Sequence, residues 1–252
     1  MTTVLLEWIA VGALGALIGF AGGLFGVGGG MIAVPVLALG FGLDQQLAQG
    51  TAYMMAAPTA VMGLWQYWRH GSVEPRHALA IGATGCLAGW LGTLLALWLD
   101  PQQLRHAFSV FLLLLVAYLM ISELPRFAPR AARRVLPLVW CPAVGAFCGA
   151  LTGFFTIGGA ICSTPLLVRF FGLVQQKAQG LTFAAIAPGA LASFATYAHH
   201  ERIVWHLGLP LCVGALATMR IGVAVAHRLP ERKLRLWFYL PLGATAIALL
   251  AR

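Results

Sequence analysis

Two glycine-rich stretches of this chain could bind a ligand through the backbone. The first, FGVGGGMIAVP, ends at Pro35, and the second, TIGGAICSTP, ends at Pro165. Each leads into a short apolar segment that is predicted to be a helix, and the unpaired N–H groups and dipole of a helix start attract anions. In the alternative interpretation, the glycines only allow close helix packing. The predicted anion ligands are Gly26, Gly28, Gly29 and Gly30 in the first stretch and Gly158 and Gly159 in the second.

Hydroxyl side chains near the glycine stretches could complete the coordination of an oxyanion. Two of them follow Gly50 in the sequence GTAY, one follows Gly180 in GLTF, and two belong to the second glycine stretch. A buried Ser or Thr in a membrane helix more often donates to the carbonyl four residues earlier, so a local role is the alternative for each hydroxyl. The candidate ligands are Thr51, Tyr53, Thr156, Ser163 and Thr182.

Arg220 is the candidate ligand with a positive charge. It lies in the apolar sequence LATMRIGVAVAHR, away from the segment end. Its guanidinium could remain inside the membrane, or it could reach the interface at the end of its long side chain. Both interpretations are open at the level of the sequence.

The acidic residues, in contrast, all fall at segment ends or in loops. Cation carriers and carboxylate proton relays usually place Asp or Glu within the membrane, so neither is favoured. Cysteines and histidines also lack the spacing of a metal site or of a nucleophile with its base. We therefore expect no metal, no cofactor and no enzymatic activity.

The composition is that of an integral membrane protein. Of the 252 residues, 60% are hydrophobic and 9% are charged, whereas soluble domains carry about 25% charged residues. The net charge of +9 comes from scattered basic residues, which do not form a nucleic-acid-binding groove. At about 20 to 25 residues per helix and loop, this length allows roughly eight to ten membrane spans. A separate soluble domain is not expected.

The chain also contains an internal duplication. A shift of 130 residues aligns the stretch from Gly23 to Pro58 with the stretch from Gly153 to Pro188 without a gap, and the register continues to Leu104 and Leu234. The predicted repeats are residues 1–130 and 131–252, which together form one domain. Identical pairs include Gly29/Gly159, Pro35/Pro165, Gln45/Gln175, Gln49/Gln179 and Gly50/Gly180.

Each repeat contains five apolar segments. The loop between the repeats and the loop before the last segment are the richest in arginine, so the positive-inside rule places both in the cytoplasm. Ten crossings satisfy this rule, and an odd number of crossings per repeat inverts one repeat relative to the other. The segments are 4–22, 31–43, 47–68, 77–98 and 105–122, then 136–155, 161–173, 177–198, 205–227 and 233–251.

The second segment of each repeat is too short to cross the membrane as a helix. About 13 helical residues span roughly 20 Å, whereas the hydrocarbon core is ~30 Å thick. One end of each short helix must then lie inside the membrane, and the glycine stretches are the natural inner ends. The predicted fold is an all-α integral membrane protein of two inverted repeats, with short broken helices led by glycine-rich loops that meet at a midplane anion site.

The glycine-led repeats resemble a known family. The sequence GGLFGVGGGMIAVPVLALG followed by AQGTAY, and GFFTIGGAICSTPLL followed by AQGLTF, is similar to the sulfite exporter TauE/SafE family, also described as toluene sulfonate uptake permeases. The second repeat departs from the pattern at three positions. Thr156 stands where the first repeat has Gly26, Ala160 stands where it has Gly30, and Leu181 replaces the family's threonine. Unequal binding by the two halves is therefore an open alternative.

The resemblance implies a multi-pass protein of the bacterial inner (plasma) membrane that transports sulfite, sulfonates, sulfoacetate, thiosulfate or related small organic anions. The predicted function is export by alternating access around the midplane site. Proton-coupled uptake of another small organic anion is the alternative, and the residues disfavour a cation permease or a membrane enzyme. The expected partners are the anionic substrate and the lipid bilayer, with no nucleic acid. Packing glycines would also suit a homodimer.

Overall fold

The regular elements of the described chain are all helical. The structure is a computed structural model that describes residues 2–25, 29–69, 71, 73–122, 136–156 and 159–226. Gly26, Gly28, Gly158, the segment 233–251 and both arginine-rich loops lie outside these residues. The helices are α1 (Thr2–Phe25), α2 (Gly30–Gly40), α3 (Gln45–Arg69), α4 (Pro75–Trp98), α5 (Pro101–Ser122), α6 (Cys141–Phe155), α7 (Gly159–Phe171), α8 (Gln175–His199) and α9 (Trp205–Ala226).

The helix bounds confirm nine of the predicted segments within the described chain, and they repeat with the same spacing as the sequence. Both α3 and its counterpart α8 contain 25 residues. Local chemistry accounts for several helix starts. Asp44 precedes α3 and accepts the N–H of Leu47 at 2.8 Å, as an N-cap residue does. Pro75 begins α4 at a position where the missing N–H has no helical partner to lose.

The short helices α2 and α7 contain 11 and 13 residues. They are therefore about 16 and 20 Å long, less than the ~30 Å hydrocarbon core. Among the described residues, four stretches are long and apolar enough to cross a membrane by length and composition. Ten crossings remain a prediction. The four stretches are Leu6–Gly23, Pro75–Trp98, Leu138–Phe155 and Lys177–His199.

The outer surface of the helix bundle is apolar. Leu79 is 79% exposed and Trp98 is 90% exposed, and further large apolar side chains are exposed on α1, α4 and α9. In water such a surface would be unfavourable, whereas lipid tails are as apolar as these side chains. The fold therefore presents a lipid-compatible surface, and its small residues lie at helix contacts.

Close helix contacts join one repeat to the other. Helix α1 packs most extensively against α9, and α6 packs most extensively against α4. A Cβ added to Gly15 would collide with the backbone of Leu211, and one added to Gly145 would collide with the backbone of Ile81. These two contacts are equivalent under the 130-residue shift, with the repeats exchanged. The same holds for the contacts Gly19/Ala215 and Gly149/Gly85.

Helices α3 and α8 pack against each other and run antiparallel. The ring centroids of Tyr53 and Tyr197 are 5.5 Å apart, and those of Tyr67 and Phe183 are 5.6 Å apart. Residue numbers therefore rise along α3 while they fall along α8. The two aromatic contacts are also equivalent under the 130-residue shift, so they have exchanged partners between the repeats.

The glycine contacts predict a large difference between two substitutions in α1. In Gly15→Ala, the new Cβ would lie 2.7 Å from the Cα of Leu211, whereas in Gly12→Ala the nearest atom is the Pro210 carbonyl oxygen at 3.7 Å. We expect Gly15→Ala to lower the free energy of unfolding by about 1–3 kcal/mol because α1 and α9 must separate. Gly12→Ala should change it by less than about 0.5 kcal/mol. Denaturant unfolding in detergent measures both, and equal destabilisation would contradict this packing.

Candidate functional site

The starts of the two short helices meet inside the bundle. Helix α2 begins at Gly30, and Thr156 lies three residues before Gly159, where α7 begins. A Cβ added to Gly30 would lie 2.5 Å from the carbonyl oxygen of Thr156. Only a glycine fits at this contact. The glycine-led ends of the two repeats are therefore in direct contact, and the positive ends of two helix dipoles point at the same region.

Thr156 has an unusual backbone conformation at this contact. Its φ of 58° and ψ of 0° lie in the left-handed region, where it ends α6 and donates its N–H to the Thr152 carbonyl at 2.8 Å. A β-branched residue rarely adopts this conformation. Strain of this kind costs about 1–3 kcal/mol and is concentrated at functional sites. The equivalent position in the first repeat is Gly26, which would adopt the same conformation without strain.

Buried hydroxyl groups from four helices surround this position. Tyr53 of α3 donates its hydroxyl hydrogen bond to the Thr152 carbonyl of α6. The side chains of Thr93, Thr156 and Ser193 approach the same hydroxyl, and Thr93 Oγ1 of α4 lies 2.8 Å from Ser193 Oγ of α8. We call Tyr53, Thr93, Thr152, Thr156 and Ser193 the hydroxyl cluster.

Two hydroxyl groups in this region have no hydrogen-bond partner. Thr156 Oγ1 and Ser163 Oγ are both unpaired, although the two residues are 3% and 0% exposed. A buried polar atom without a partner costs about 1–3 kcal/mol, so native proteins rarely leave one. The N–H of Gly159 at the start of α7 donates to Thr152 Oγ1 at 2.9 Å. Unpaired donors and a helix start thus occupy the same region.

The polar side chains buried in the described chain are all uncharged. They are glutamines, threonines and serines. Such donors can bind an anion without a compensating buried cation, because N–H and O–H groups together with helix dipoles supply the positive potential. Within the described residues, no group of three or more His, Cys, Asp or Glu could hold a metal ion.

The other predicted ligands lie at varying distances from this region. Gly29 adopts a φ of 74° just before α2, and its Cβ position faces Met55. Thr51 Oγ1 accepts the N–H of Val204 at 3.0 Å, so it supports the loop before α9. Thr182 Oγ1 lies 3.2 Å from Thr164 Oγ1.

Arg220 lies on an exposed face of α9. Within the described residues, no hydrogen bond or ion pair joins it to the hydroxyl cluster. A guanidinium on a lipid-facing surface can reach the membrane interface through its long side chain. This placement favours the second interpretation of Arg220, in which the side chain reaches the interface.

Two Tyr–Gln pairs join the repeats. Tyr67 donates to Gln179 Oε1 at 2.8 Å, and Tyr197 donates to Gln49 Oε1 at 2.8 Å. Each pair combines a tyrosine from one repeat with a glutamine from the other, and the shift of 130 residues converts one pair into the other. The sequence analysis noted the glutamines but not the tyrosines. The signal was available, because Tyr67 and Tyr197 are also 130 residues apart.

The comparisons with known proteins agree with this architecture. The family described as sulfite exporter TauE/SafE matches residues 11–249, which include both repeats. The chain belongs to the TauE/SafE family. The resemblance inferred from the glycine-led repeats is confirmed, and the chain is an integral membrane transporter of this family.

Several TauE/SafE-like relatives are similar over most of their length. A probable membrane transporter protein of Xylella fastidiosa (strain Temecula1) is 30% identical over 223 residues, which cover 87% of this chain and 85% of that protein. Probable membrane transporter protein YdhB of Bacillus subtilis is 24% identical, with 86% and 89% covered. Probable membrane transporter protein MJ0441 of Methanocaldococcus jannaschii is 23% identical, with 95% and 91% covered. No solved structure matches the chain significantly.

Proposed function

We propose that this TauE/SafE protein exports small sulfur-containing anions, such as sulfite, sulfonates, sulfoacetate or thiosulfate, from a site between its two glycine-led helix starts. The observation that carries the proposal is the contact between Gly30 and Thr156, beside the unpaired hydroxyls of Thr156 and Ser163. Sulfur enters from the family's description as sulfite exporters. The uncharged donors support an anion in general.

The proposed arrangement is a pair of inverted repeats. Helices α3 and α8 are equivalent in the two repeats, and their aromatic contacts run antiparallel. A rotation that reverses a membrane-spanning helix has its axis in the membrane plane, which is the geometry of inverted-repeat transporters. The exchanged packing of α1 on α9 and of α6 on α4 supports the same rotation.

Alternating access follows from this arrangement. The Tyr197–Gln49 pair and the Tyr67–Gln179 pair lie at opposite ends of the α3–α8 contact and are both formed. We interpret this as an occluded conformation, in which opening either end breaks one pair and preserves the other. Export of an anion needs no coupling ion, because an inside-negative potential favours outward movement by about 2.3 kcal/mol per charge per 100 mV.

Uptake coupled to protons is the second candidate. It would require a group that titrates along the pathway, and no carboxylate or histidine is buried in the described part of the chain. The same observation weighs against a cation permease. We propose a multi-pass location in the bacterial inner membrane, where this potential exists. A homodimer is compatible with the small residues but is not needed for the site.

The first test is thermal stabilisation of the purified protein by sulfite, thiosulfate, sulfoacetate, taurine, sulfate and chloride. A ligand that binds the native state raises its stability, by about 2.7 kcal/mol at a concentration 100 times its dissociation constant. We expect a selective shift with a sulfur oxyanion or a sulfonate. A shift only with metal or organic cations would contradict the proposal.

Substitutions of Thr156 separate binding from stability. We expect Thr156→Gly to raise the free energy of unfolding by about 1 kcal/mol, because glycine relieves the left-handed strain. The same substitution should weaken anion binding about tenfold or more, because it removes a donor to a charged ligand. Thr156→Ser should restore binding. Calorimetric titration and thermal unfolding of the same samples measure both quantities.

Ser163→Ala should also weaken binding about tenfold. Its matched control is Thr196→Val, which removes a half-buried hydroxyl that donates to Ala192 in its own helix at 2.8 Å. The control should change the affinity less than twofold. Unchanged anion affinity in both Thr156→Gly and Ser163→Ala would refute the site.

A further inference from the structure

A second cavity lies away from the hydroxyl cluster. It has a volume of about 260 Å³ and lies between the end of α2, the start of α3 and the first turn of α5. Asp44, Gln45, Gln102 and Arg105 are its polar lining residues. We call it the α2–α5 pocket. Because α2 has 11 residues, the pocket lies about 16 Å along this helix from its glycine-led start.

The α2–α5 pocket contains unpaired polar groups. Gln45 is only 2% exposed, yet both its amide nitrogen and its amide oxygen lack hydrogen-bond partners. Arg105 Nε is likewise buried and unpaired. The ion pairs of the described residues join His77 to Glu74 and Arg202 to Asp44, so neither involves Arg105. A ligand in the pocket would satisfy these atoms.

The unpaired groups favour an anion over a cation. Asp44 is the acidic residue of the pocket, but both of its carboxylate oxygens are engaged. Its Oδ1 accepts the N–H of Leu47 at 2.8 Å, and its Oδ2 lies 3.8 Å from Arg202 Nη1. The remaining groups are the Arg105 guanidinium and the Gln45 amide. A guanidinium binds two oxygens of one oxyanion in parallel, and the amide can donate to a third.

We propose that the α2–α5 pocket is a second binding site, which holds the head group of a small oxyanion on Arg105 and Gln45. The sequence carries the same two residue types 130 positions later, as Gln175 and Arg235, although Arg235 lies outside the described residues. The loops that begin at Asp44 and Asp100 are predicted to face outward. The pocket is then an outer station on the substrate path, and only this last statement rests on the proposed function.

The test measures the reactivity of Arg105 in the full-length protein. Phenylglyoxal modifies guanidinium groups, and peptide mass spectrometry reports the rate at each arginine. The probe anion is methanesulfonate, compared with chloride at equal ionic strength. We expect methanesulfonate to slow modification of Arg105 at least fivefold. Arg202 is the internal control, because it lies beside the same pocket but is paired with Asp44, and its rate should not change.

Variants then identify the ligands of the probe. Gln45→Ala should raise the methanesulfonate concentration needed for protection about tenfold, because it removes a hydrogen bond to a charged ligand. The matched control is Gln103→Ala, an exposed glutamine on α5 outside the pocket, which should leave protection unchanged. Equal modification of Arg105 in both salts would overturn the proposal. If Arg105 does not react, equal methanesulfonate affinity of the wild type and Arg105→Gln overturns it.

The outcome is separable from that of the proposed function. Thr156→Gly alters the site between the helix starts, so protection of Arg105 should persist in this variant. Loss of protection there would show that the pocket is not an independent site. Protection of Arg105 in a protein that moves no anion in vesicles would contradict the proposed export but leave the pocket as an anion site.

Discussion

Gly30→Ala is expected to lower anion transport at least about a hundredfold while the protein still folds. The added Cβ would lie 2.5 Å from the Thr156 carbonyl oxygen, and backbone atoms cannot approach so closely. The two helix starts must therefore move apart by about half an ångström or more. Sites that depend on exact positioning lose about 10²-fold for displacements on the order of 1 Å. The cost in stability should be about 1–3 kcal/mol.

The matched control is Gly40→Ala at the other end of α2. A Cβ at Gly40 has no neighbouring atom within 4 Å, so transport should change less than about twofold. Flux of the stabilising anion in proteoliposomes measures transport, and thermal unfolding in the same lipid measures folding. Similar flux in the two variants would show that contact between the helix starts is not required for transport.

Tyr197→Phe and Tyr67→Phe are expected to open opposite sides of the transporter. Each substitution leaves a glutamine oxygen unpaired in one closed end, where the hydrogen bond measures 2.8 Å. An unpaired buried acceptor costs about 1–3 kcal/mol, which shifts the equilibrium between closed and open forms of that end about tenfold to a hundredfold. The opposite end keeps its pair and should remain closed.

Cysteine labelling at two equivalent positions would detect this difference. Ala48 and Ala178 are both 0% exposed, and each lies next to a paired glutamine in the sequence. In a background without the five native cysteines, Tyr197→Phe should raise the labelling rate of Ala48→Cys about tenfold and leave Ala178→Cys unchanged. Tyr67→Phe should do the reverse. Equal increases at both positions in both variants would indicate general loosening of the bundle instead of gating.

The sequence predicts the elements of this fold better than their contacts. Glycine, proline and glutamine recur at a fixed spacing, so the duplication and the glycine-led short helices are visible without a structure. The helix bounds Gln45–Arg69 and Gln175–His199 follow the same spacing. Apolar composition identifies the membrane segments because the bilayer imposes it on each segment separately. Such signals are local, and they carry over directly to the helices.

The contacts that form the candidate site are not local. The Tyr67–Gln179 bond spans 112 residues and the Tyr197–Gln49 bond spans 148. Thr93 and Ser193 have no motif of their own, so only the packing of α4 on α8 brings them into the hydroxyl cluster. Thr51 illustrates the opposite case, because its hydroxyl follows a matched glycine but supports the backbone of Val204. Hydroxyl residues have many local uses, and tertiary packing decides among them.

The exchanged packing of α1 and α9 also constrains how the protein is made. Helix α1 ends at Phe25, and its main partner α9 begins only at Trp205. At about 5–20 residues per second of synthesis, that interval corresponds to roughly 10–40 s on the ribosome. During this time the glycine face of α1 has only lipid, the insertion machinery or earlier helices to cover it. Assembly of the bundle is thus completed by the second half of the nascent chain, and a ribosome that stalls before α9 leaves a first repeat without its main packing partner.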